Sequence, residues 1–327
     1  MHRFKTAAAV LLVAACSRPA SEAASADSVT VSQVPSPLPA GEGRLAVQGG
    51  SIWYRVTGAG PATPIVLLHG GPGYSSFYLK SLEALHDERP VVIYDQLGAG
   101  KSDRVADTTL FTIPRFVAEL DSLRAHLGYP RWHVLGHSWG TILGLEYYRA
   151  HPDRVASLTL ASAAIDIPTW GRNVKRMIGT LSDSSQRAIA VREADGNFAA
   201  PDYQAANGEF MAKYVVKSAP GPDLDSTLST YNETLYNYMQ GPSEFTITGT
   251  LKNYNATGFL RDVKVPILFT VGEFDEAHPA TIRKQATMAK RAEVALIPRA
   301  AHLTPLDNPI EQTRVVREFL RRVDPAH

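Results

Sequence analysis

The sequence contains a single cysteine, Cys16, so it can form no internal disulfide bond. Its net charge is only +1, from 33 basic and 32 acidic residues, which indicates no polyanionic partner such as nucleic acid. No apolar run reaches the roughly eighteen residues that a membrane-spanning helix requires. His278 and His302 lack the spacing and companion ligands of a metal site, and the glycine-rich loops lack the lysine pattern of a P-loop. We therefore expect no metal ion, nucleotide or other cofactor.

Residues 1–16 have the layout of a bacterial export signal. Arg3 and Lys5 precede the short apolar stretch 7–15, which runs as Val-Ala-Ala into Cys16. This order resembles a lipobox, in which cleavage leaves the cysteine as a lipidated N-terminus. We predict a lipid-anchored protein of a bacterial cell envelope that faces the periplasm or the exterior, and we expect no other contact with a membrane. The alternative is a plain secretory signal and a soluble secreted or periplasmic protein.

The remainder divides into a tether, a core and an insertion. Residues 17–42 are rich in Ser, Ala and Pro and are expected to form a disordered tether. Residues 43–164 and 260–327 alternate strand-like and helical segments, which predicts an α/β core with a mostly parallel, eight-stranded sheet covered on both faces. Residues 165–259 are far too long for an ordinary crossover and are expected to form an inserted helical cap. The predicted strands are 44–47, 52–56, 65–68, 91–94, 133–135, 157–160, 267–271 and 294–297.

A loop made almost entirely of backbone follows the third predicted strand. It reads His-Gly-Gly-Pro-Gly over residues 69–73, directly after the apolar run 65–68. Glycines leave the amide N–H groups open to close approach by a substrate oxygen. Preorganised donors of this kind stabilise the oxyanion that develops during acyl transfer. The loop therefore predicts an oxyanion-binding site.

The pattern Gly-x-Ser-x-Gly over residues 136–140 supplies a candidate nucleophile, Ser138. It lies between a predicted strand and a predicted helix, which is the setting of a nucleophile elbow. In that arrangement the serine is followed along the chain by an acidic residue and then by a histidine. Asp275 comes just after the predicted strand 267–271, and His302 just after the strand 294–297. His278 is too close to Asp275 along the loop to reach Ser138, so we predict the triad Ser138, Asp275 and His302.

Four stretches resemble the proline iminopeptidase family, most closely the branch of the tricorn-interacting aminopeptidase and the L-amino-acid amidases. They are residues 69–75, 94–103 and 136–140 in the core and 241–249 in the cap. The resemblance implies an α/β-hydrolase fold with a helical cap and the release of an N-terminal residue, often proline, from short peptides. It further implies that the amides of Gly71 and Trp139 are the oxyanion donors, and that Glu244 and Glu276 bind the free amine of the substrate.

Binding of an amine by two carboxylates has a physical reason, because a desolvated ammonium group requires anionic partners. Alternatives nevertheless stay open. The same triad serves amidases and esterases that act on small amino-acid derivatives, so aminoacyl amides are alternative substrates. A lipoprotein that keeps the fold as a binding module without turnover is a third hypothesis. A fluorophosphonate probe tests this third hypothesis, because the probe would not label Ser138 in a protein without turnover.

Overall fold

The computed structural model describes residues 38–324, and within them eight strands form one sheet in the order β1-β2-β4-β3-β5-β6-β7-β8. β1 pairs antiparallel with β2 and β2 antiparallel with β4, while every later pair is parallel. The predicted α/β class and mostly parallel sheet are thereby confirmed. The strands are Gly41–Val47 (β1), Gly50–Thr57 (β2), Ile65–Leu68 (β3), Val91–Asp95 (β4), Trp132–His137 (β5), Val155–Ala161 (β6), Ile267–Gly272 (β7) and Ala292–Ile297 (β8).

The same part of the chain contains ten α-helices and four short 3₁₀ segments. None of these helices is long and apolar enough to cross a membrane. The helices are Ile113–His126 (α1), Trp139–Ala150 (α2), Ile167–Ile178 (α3), Asp183–Asp195 (α4), Pro201–Tyr214 (α5), Pro222–Ser229 (α6), Glu233–Met239 (α7), Pro279–Ala286 (α8), Thr304–Asp307 (α9) and Pro309–Val323 (α10). The 3₁₀ segments are Ser76–Asp87, Thr108–Leu110, Pro152–Arg154 and Thr257–Asp262.

The central strands are buried along their whole length because helices cover both faces of the sheet. All four residues of β3 are fully buried, and so is nearly every residue of β4, β5 and β7. Strands buried on both faces show a continuous apolar pattern rather than an alternating one. The apolar runs of these strands can be predicted from the sequence, and the polar candidates Ser138 and Asp275 follow the carboxyl ends of β5 and β7.

β1 begins within the stretch that was expected to be tether. Gly41 and Glu42 pair with Val56 and Arg55 of β2, so the sheet starts two residues before residue 43. The Glu42 carboxylate accepts a hydrogen bond of 3.0 Å from the indole Nε1 of Trp53, which fixes this end of the strand. The predicted signal, Cys16 and the rest of the tether up to residue 37 lie outside the described residues.

The segment predicted as a cap contains α3 to α7 and connects β6 to β7, which are neighbours in the sheet. It has its own aromatic core, in which the ring centroid of Phe245 lies 5.8 Å from that of Tyr203 and 5.0 Å from that of Phe210. It also contacts the site loops directly. The backbone N–H of Asn232 donates to the carbonyl of Gly73 at 2.9 Å. The cap segment is thus joined to the loop that was expected to bind the oxyanion.

Candidate active site

Ser138 occupies a strained turn between β5 and α2. Its backbone angles are φ 53° and ψ −122°, a conformation that residues other than glycine rarely adopt. Both flanking glycines are required by space. A Cβ on Gly136 would lie 2.1 Å from the carbonyl oxygen of Gly140, and a Cβ on Gly140 would lie 2.2 Å from that of Leu68. The packing of strand, turn and helix thus explains the Gly-x-Ser-x-Gly pattern.

Asp275 and His302 are brought together beyond the ends of β7 and β8. His302 Nδ1 lies 2.8 Å from Asp275 Oδ1, and both side chains are buried. Asp275 also accepts hydrogen bonds from Ser162 Oγ at 2.6 Å and from the Ala277 N–H at 2.8 Å. Burial raises the pKa of Asp275, but the charge of His302 and these hydrogen bonds outweigh it and hold the pKa below its usual value. The carboxylate therefore stays ionised and can orient the imidazole.

Ser138 and His302 line the same cavity. The hydrogen bonds found for residues 38–324 do not include one between the Ser138 hydroxyl and His302. Instead, His302 Nε2 faces Glu276 Oε1 at 3.9 Å. Catalytic hydrogen bonds are often long in enzymes without substrate and shorten when substrate binds. The shared cavity thus holds the predicted nucleophile and the predicted base of a serine hydrolase.

The His302 main chain is held by residues that the sequence did not single out. Its carbonyl accepts from His137 Nε2 at 2.8 Å and from Ser162 Oγ at 3.1 Å. Burial, and then the charge of His302, lower the pKa of His137 to about 3, so this imidazole is neutral at physiological pH. Because the His302 carbonyl can only accept, the proton of His137 is on Nε2 and its Nδ1 accepts from the Tyr78 hydroxyl at 2.9 Å. His137 thereby links the nucleophile elbow to the catalytic base.

The glycine loop lies directly over the nucleophile. A Cβ on Gly70 would lie 3.0 Å from the Cβ of Ser138, and the Gly70 N–H donates to Tyr78 Oη at 2.7 Å. The next residue, Gly71, has φ 107° and lines the cavities at Ser138. Trp139 is the first residue of α2, so its N–H has no acceptor within the helix. These are the two amides expected to hold an oxyanion, and the structure places both beside Ser138.

Gln96 fixes the two donor segments relative to each other. Its Nε2 donates to the His69 carbonyl at 3.1 Å, and its Oε1 accepts from the Trp139 indole at 2.8 Å. Its backbone N–H donates to His69 Nε2 at 3.0 Å. Gln96 is buried and lies just after β4, within one of the stretches that carry the family resemblance. Its role is to preorganise the loop and the helix terminus before substrate arrives.

Glu244 and Glu276 are two buried carboxylates next to the triad. Glu276 is 0% exposed, and neither of its carboxylate oxygens has a hydrogen-bond partner among residues 38–324. Burial, and then the charges of Glu244 and Asp275, raise the pKa of Glu276 well above its usual value. Burial also raises the pKa of Glu244, although the charge of His302 and the Tyr236 hydroxyl oppose this. Two desolvated acids of this kind are unfavourable in a protein interior unless a cation pairs with them.

Two cavities meet at Ser138. The smaller is bordered by Gly71, Trp139 and Glu244. The larger is bordered by Gly70, Gly71, Glu244 and His302. The apolar walls of the smaller cavity are Trp139, Ile142, Ala164, Ile167, Trp170 and Leu251. Within residues 38–324, no group of three or more His, Cys, Asp or Glu side chains is placed to hold a metal ion.

Comparison with known proteins agrees with this geometry. The model of the α/β-hydrolase fold family matches residues 63–309. A proline iminopeptidase of Heyndrickxia coagulans is 38% identical over 86% of this chain and 99% of that relative, and one of Levilactobacillus brevis is 36% identical over 83% and 93%. The crystal structure of the proline iminopeptidase of Mycobacterium smegmatis superimposes with a TM-score of 0.80 at 32% identity, covering 86% of this chain and 98% of that one.

The chain belongs to the proline iminopeptidase family. The resemblance found in the four sequence motifs is thereby confirmed, as is the α/β-hydrolase fold. The protein is a hydrolase of the aminopeptidase class.

Ser162 is a positioning residue that a substitution can test. We expect Ser162→Ala to lower kcat about tenfold, because the ionised Asp275 loses its hydrogen bond of 2.6 Å and orients His302 less well. The acidic limb of the kcat–pH profile should also shift, because that hydrogen bond helps to lower the pKa of Asp275.

The matched control for this variant is Ser157→Ala. Ser157 is also buried, but its hydroxyl pairs with His133 Nδ1 at 2.7 Å, near the amino end of β5. This control should leave kcat unchanged. An unchanged kcat and pH profile in Ser162→Ala would show that Ser162 does not act on Asp275.

Proposed function

We propose that this protein is a serine aminopeptidase that releases N-terminal proline from short peptides through an acyl-enzyme intermediate. The observation that carries the proposal is the pair of buried carboxylates, Glu244 and Glu276, beside Ser138 and His302. A buried acid without a partner is unfavourable unless a cation completes the site. An N-terminal ammonium group next to the scissile carbonyl is such a cation. The named relatives of this chain support the same activity.

The first half of the reaction uses the groups around Ser138. The Ser138 hydroxyl attacks the scissile carbonyl carbon while His302 Nε2 takes the hydroxyl proton. The negative charge that develops on the carbonyl oxygen is stabilised by the N–H groups of Gly71 and Trp139. The C–N bond then breaks, and His302 gives its proton to the leaving nitrogen. The N-terminal residue is left as an ester on Ser138.

The second half releases that residue. His302 takes a proton from a water molecule, whose oxygen attacks the ester carbon, and Ser138 leaves with the proton that His302 returns. Asp275 stabilises the imidazolium in both halves. Glu244 and Glu276 hold the ammonium group throughout, so the carbonyl of the first residue is the one presented to Ser138. A mid-chain peptide bond has no ammonium group at this position.

The smaller cavity supports proline as the first residue. It is bordered by both oxyanion amides and Glu244, so an acyl group bound there has its carbonyl near Ser138 and its amine near a carboxylate. Most of the side chains on its walls are apolar, Trp139 and Trp170 among them, and Gln240 is the polar exception besides Glu244 and Ser138. A small apolar ring is compatible with these walls, whereas a charged side chain would find few polar partners there.

The proposal is tested by comparing naphthylamides of proline and other residues, each with a free and with an acetylated amine. Turnover should require the free amine and should be fastest for proline. Equal turnover of Pro-naphthylamide and acetyl-Pro-naphthylamide would remove the aminopeptidase function and favour a general amidase or esterase.

We also propose that the mature protein is anchored to a bacterial envelope membrane through lipid on Cys16. The support is the order of charged, apolar and small residues before Cys16 in the sequence. Because a single acyl chain anchors only weakly, the two or three chains of a bacterial lipoprotein are needed for stable attachment. We expect the wild-type protein to fractionate with membranes and to partition into detergent, and Cys16→Ser to abolish both. Wild-type enzyme found wholly in the soluble periplasm would contradict the proposal.

A further inference from the structure

The larger cavity at Ser138 extends well beyond the catalytic groups. Its inner end is formed by Gly70, Gly71, Ser138 and His302. It has more free space than the neighbouring cavity at Ser138. Away from the catalytic groups its walls are mostly apolar, and the apolar side chains that form them are Met211, Val215, Val216, Leu224, Leu228 and Leu303. Tyr74 and Thr227 also line it, and the Thr227 hydroxyl already donates to the Asp223 carbonyl at 2.8 Å.

The position of His302 decides which part of a substrate this cavity receives. The leaving nitrogen must lie next to His302 Nε2, because that atom returns the proton when the C–N bond breaks. His302 borders the larger cavity and does not border the smaller one. The smaller cavity instead has both amides that bind the oxyanion, Gly71 and Trp139. The acyl residue therefore belongs in the smaller cavity, and the residue after the scissile bond belongs in the larger one.

Several polar groups of the larger cavity are already engaged in hydrogen bonds within the protein. The Tyr78 hydroxyl already binds the Gly70 N–H and His137 Nδ1. Glu244 is the only carboxylate among the residues that line this cavity. The outer walls come from α5, α6 and the loops that follow α5 and β8, and they offer a side chain apolar contact rather than hydrogen bonds. A polar or charged side chain bound here would lose its hydration without compensation.

We propose that this cavity is the binding site for a large apolar side chain, such as leucine, methionine or phenylalanine, on the residue after the scissile bond. The preferred substrates are then prolyl peptides whose second residue is apolar. This inference rests on the proposed aminopeptidase function and adds the second residue to its specificity.

The test compares kcat/KM for Pro-Leu-amide, Pro-Phe-amide, Pro-Gly-amide and Pro-Asp-amide. Each reaction forms the same prolyl ester on Ser138, so deacylation is common to all four and only acylation reports the second residue. We expect the Leu and Phe substrates to exceed the Gly and Asp substrates about tenfold or more, which is the range for side-chain discrimination in an apolar pocket. Equal kcat/KM for all four would overturn the proposal.

A matched pair of variants separates this site from general effects on the cap. Leu228 lines the cavity and is 50% exposed, whereas Val191 on α4 is 52% exposed and lines none of the cavities described for residues 38–324. Leu228→Gln should lower kcat/KM severalfold more for Pro-Leu-amide than for Pro-Gly-amide. Val191→Gln should change neither value. A Leu228→Gln protein that loses activity equally on both substrates would contradict the assignment.

Failure of this inference and failure of the proposed function give different results. If acetyl-Pro-Leu-amide reacts as fast as Pro-Leu-amide, the requirement for a free amine is wrong, and the aminopeptidase function fails together with the inference that rests on it. If the free amine is required and Pro-Gly-amide reacts as fast as Pro-Leu-amide, the aminopeptidase function stands and the apolar site is wrong.

Discussion

Replacing Ser138 by alanine should lower kcat by a factor of about a thousand or more while the fold stays intact. The variant removes only the nucleophilic oxygen. Alanine meets the same strain at φ 53° that serine already meets, so no new backbone strain is added. His302→Ala should reduce kcat to a similar extent, because nucleophile and base act as one unit. The double variant should be little worse than either single one, since their effects are not additive. Turnover of Pro-naphthylamide and the melting temperature measure the two parts of this expectation.

The control for this experiment is Ser122→Ala. Ser122 lies on the exposed face of α1, and its hydroxyl donates only to the Ala118 carbonyl, so kcat should be unchanged. A fluorophosphonate probe should label the wild-type protein and the control but not Ser138→Ala. If either Ser138→Ala or His302→Ala kept more than a tenth of the wild-type kcat, the assigned triad would be wrong.

The core and the triad candidates could be predicted because each leaves a local trace in the sequence. Buried parallel strands read as short apolar runs, and the run 65–68 matches β3 residue for residue. Asp275 and His302 each follow such a run, and polar residues at the carboxyl ends of parallel strands gather at one edge of the sheet. The sequence therefore predicts that Asp275 and His302 lie together, and a hydrogen bond joins them although they are 27 residues apart in the chain.

The supporting residues could not be predicted because their roles depend on contacts distant in sequence. Ser162 reaches Asp275 across 113 positions, and His137 reaches the His302 carbonyl across 165. The sequence offers one local signal for each of them. Ser162 directly follows β6, and His137 occupies the unspecified position before Ser138 in the Gly-x-Ser-x-Gly pattern. The start of β1 was also misplaced, because Gly41 and Glu42 have no apolar pattern and are strand residues only through their pairing with β2.

The two buried acids, Glu244 and Glu276, are expected to lower the stability of the folded protein. Glu276 is fully buried with no hydrogen-bond partner among the described residues, and Glu244 and Asp275 add like charge to its surroundings. Replacing one such group in a core normally improves stability, because a buried charge costs more to desolvate than its neighbours return. The proposed binding of the substrate amine by Glu244 and Glu276 would account for two such groups beside the nucleophile.

Glu276→Gln should therefore lower kcat/KM for Pro-naphthylamide a hundredfold or more, because the substrate ammonium loses an anionic partner in a desolvated site. The value for acetyl-Pro-naphthylamide should change little, since that substrate has no cation to bind. Glu244→Gln should behave in the same way. Glu273→Gln is the matched control in the same loop: its carboxylate is exposed and accepts from the Arg299 N–H at 3.0 Å, so both substrates should react as they do with the wild-type protein.

The same substitution should raise stability, with a dependence on pH that identifies the cause. The pKa of Glu276 in the folded protein lies well above its usual value of 4.5, so the folded state binds this proton more tightly than the unfolded state does. The free energy of unfolding of the wild-type protein therefore falls as the pH rises from 4.5 through the folded-state pKa. Glu276→Gln removes this loss. Its melting temperature should exceed the wild-type value at pH 8, and the difference should vanish below pH 4.5. A variant that is no more stable at pH 8 and still turns over Pro-naphthylamide at the wild-type rate would show that Glu276 is not a buried, amine-binding acid.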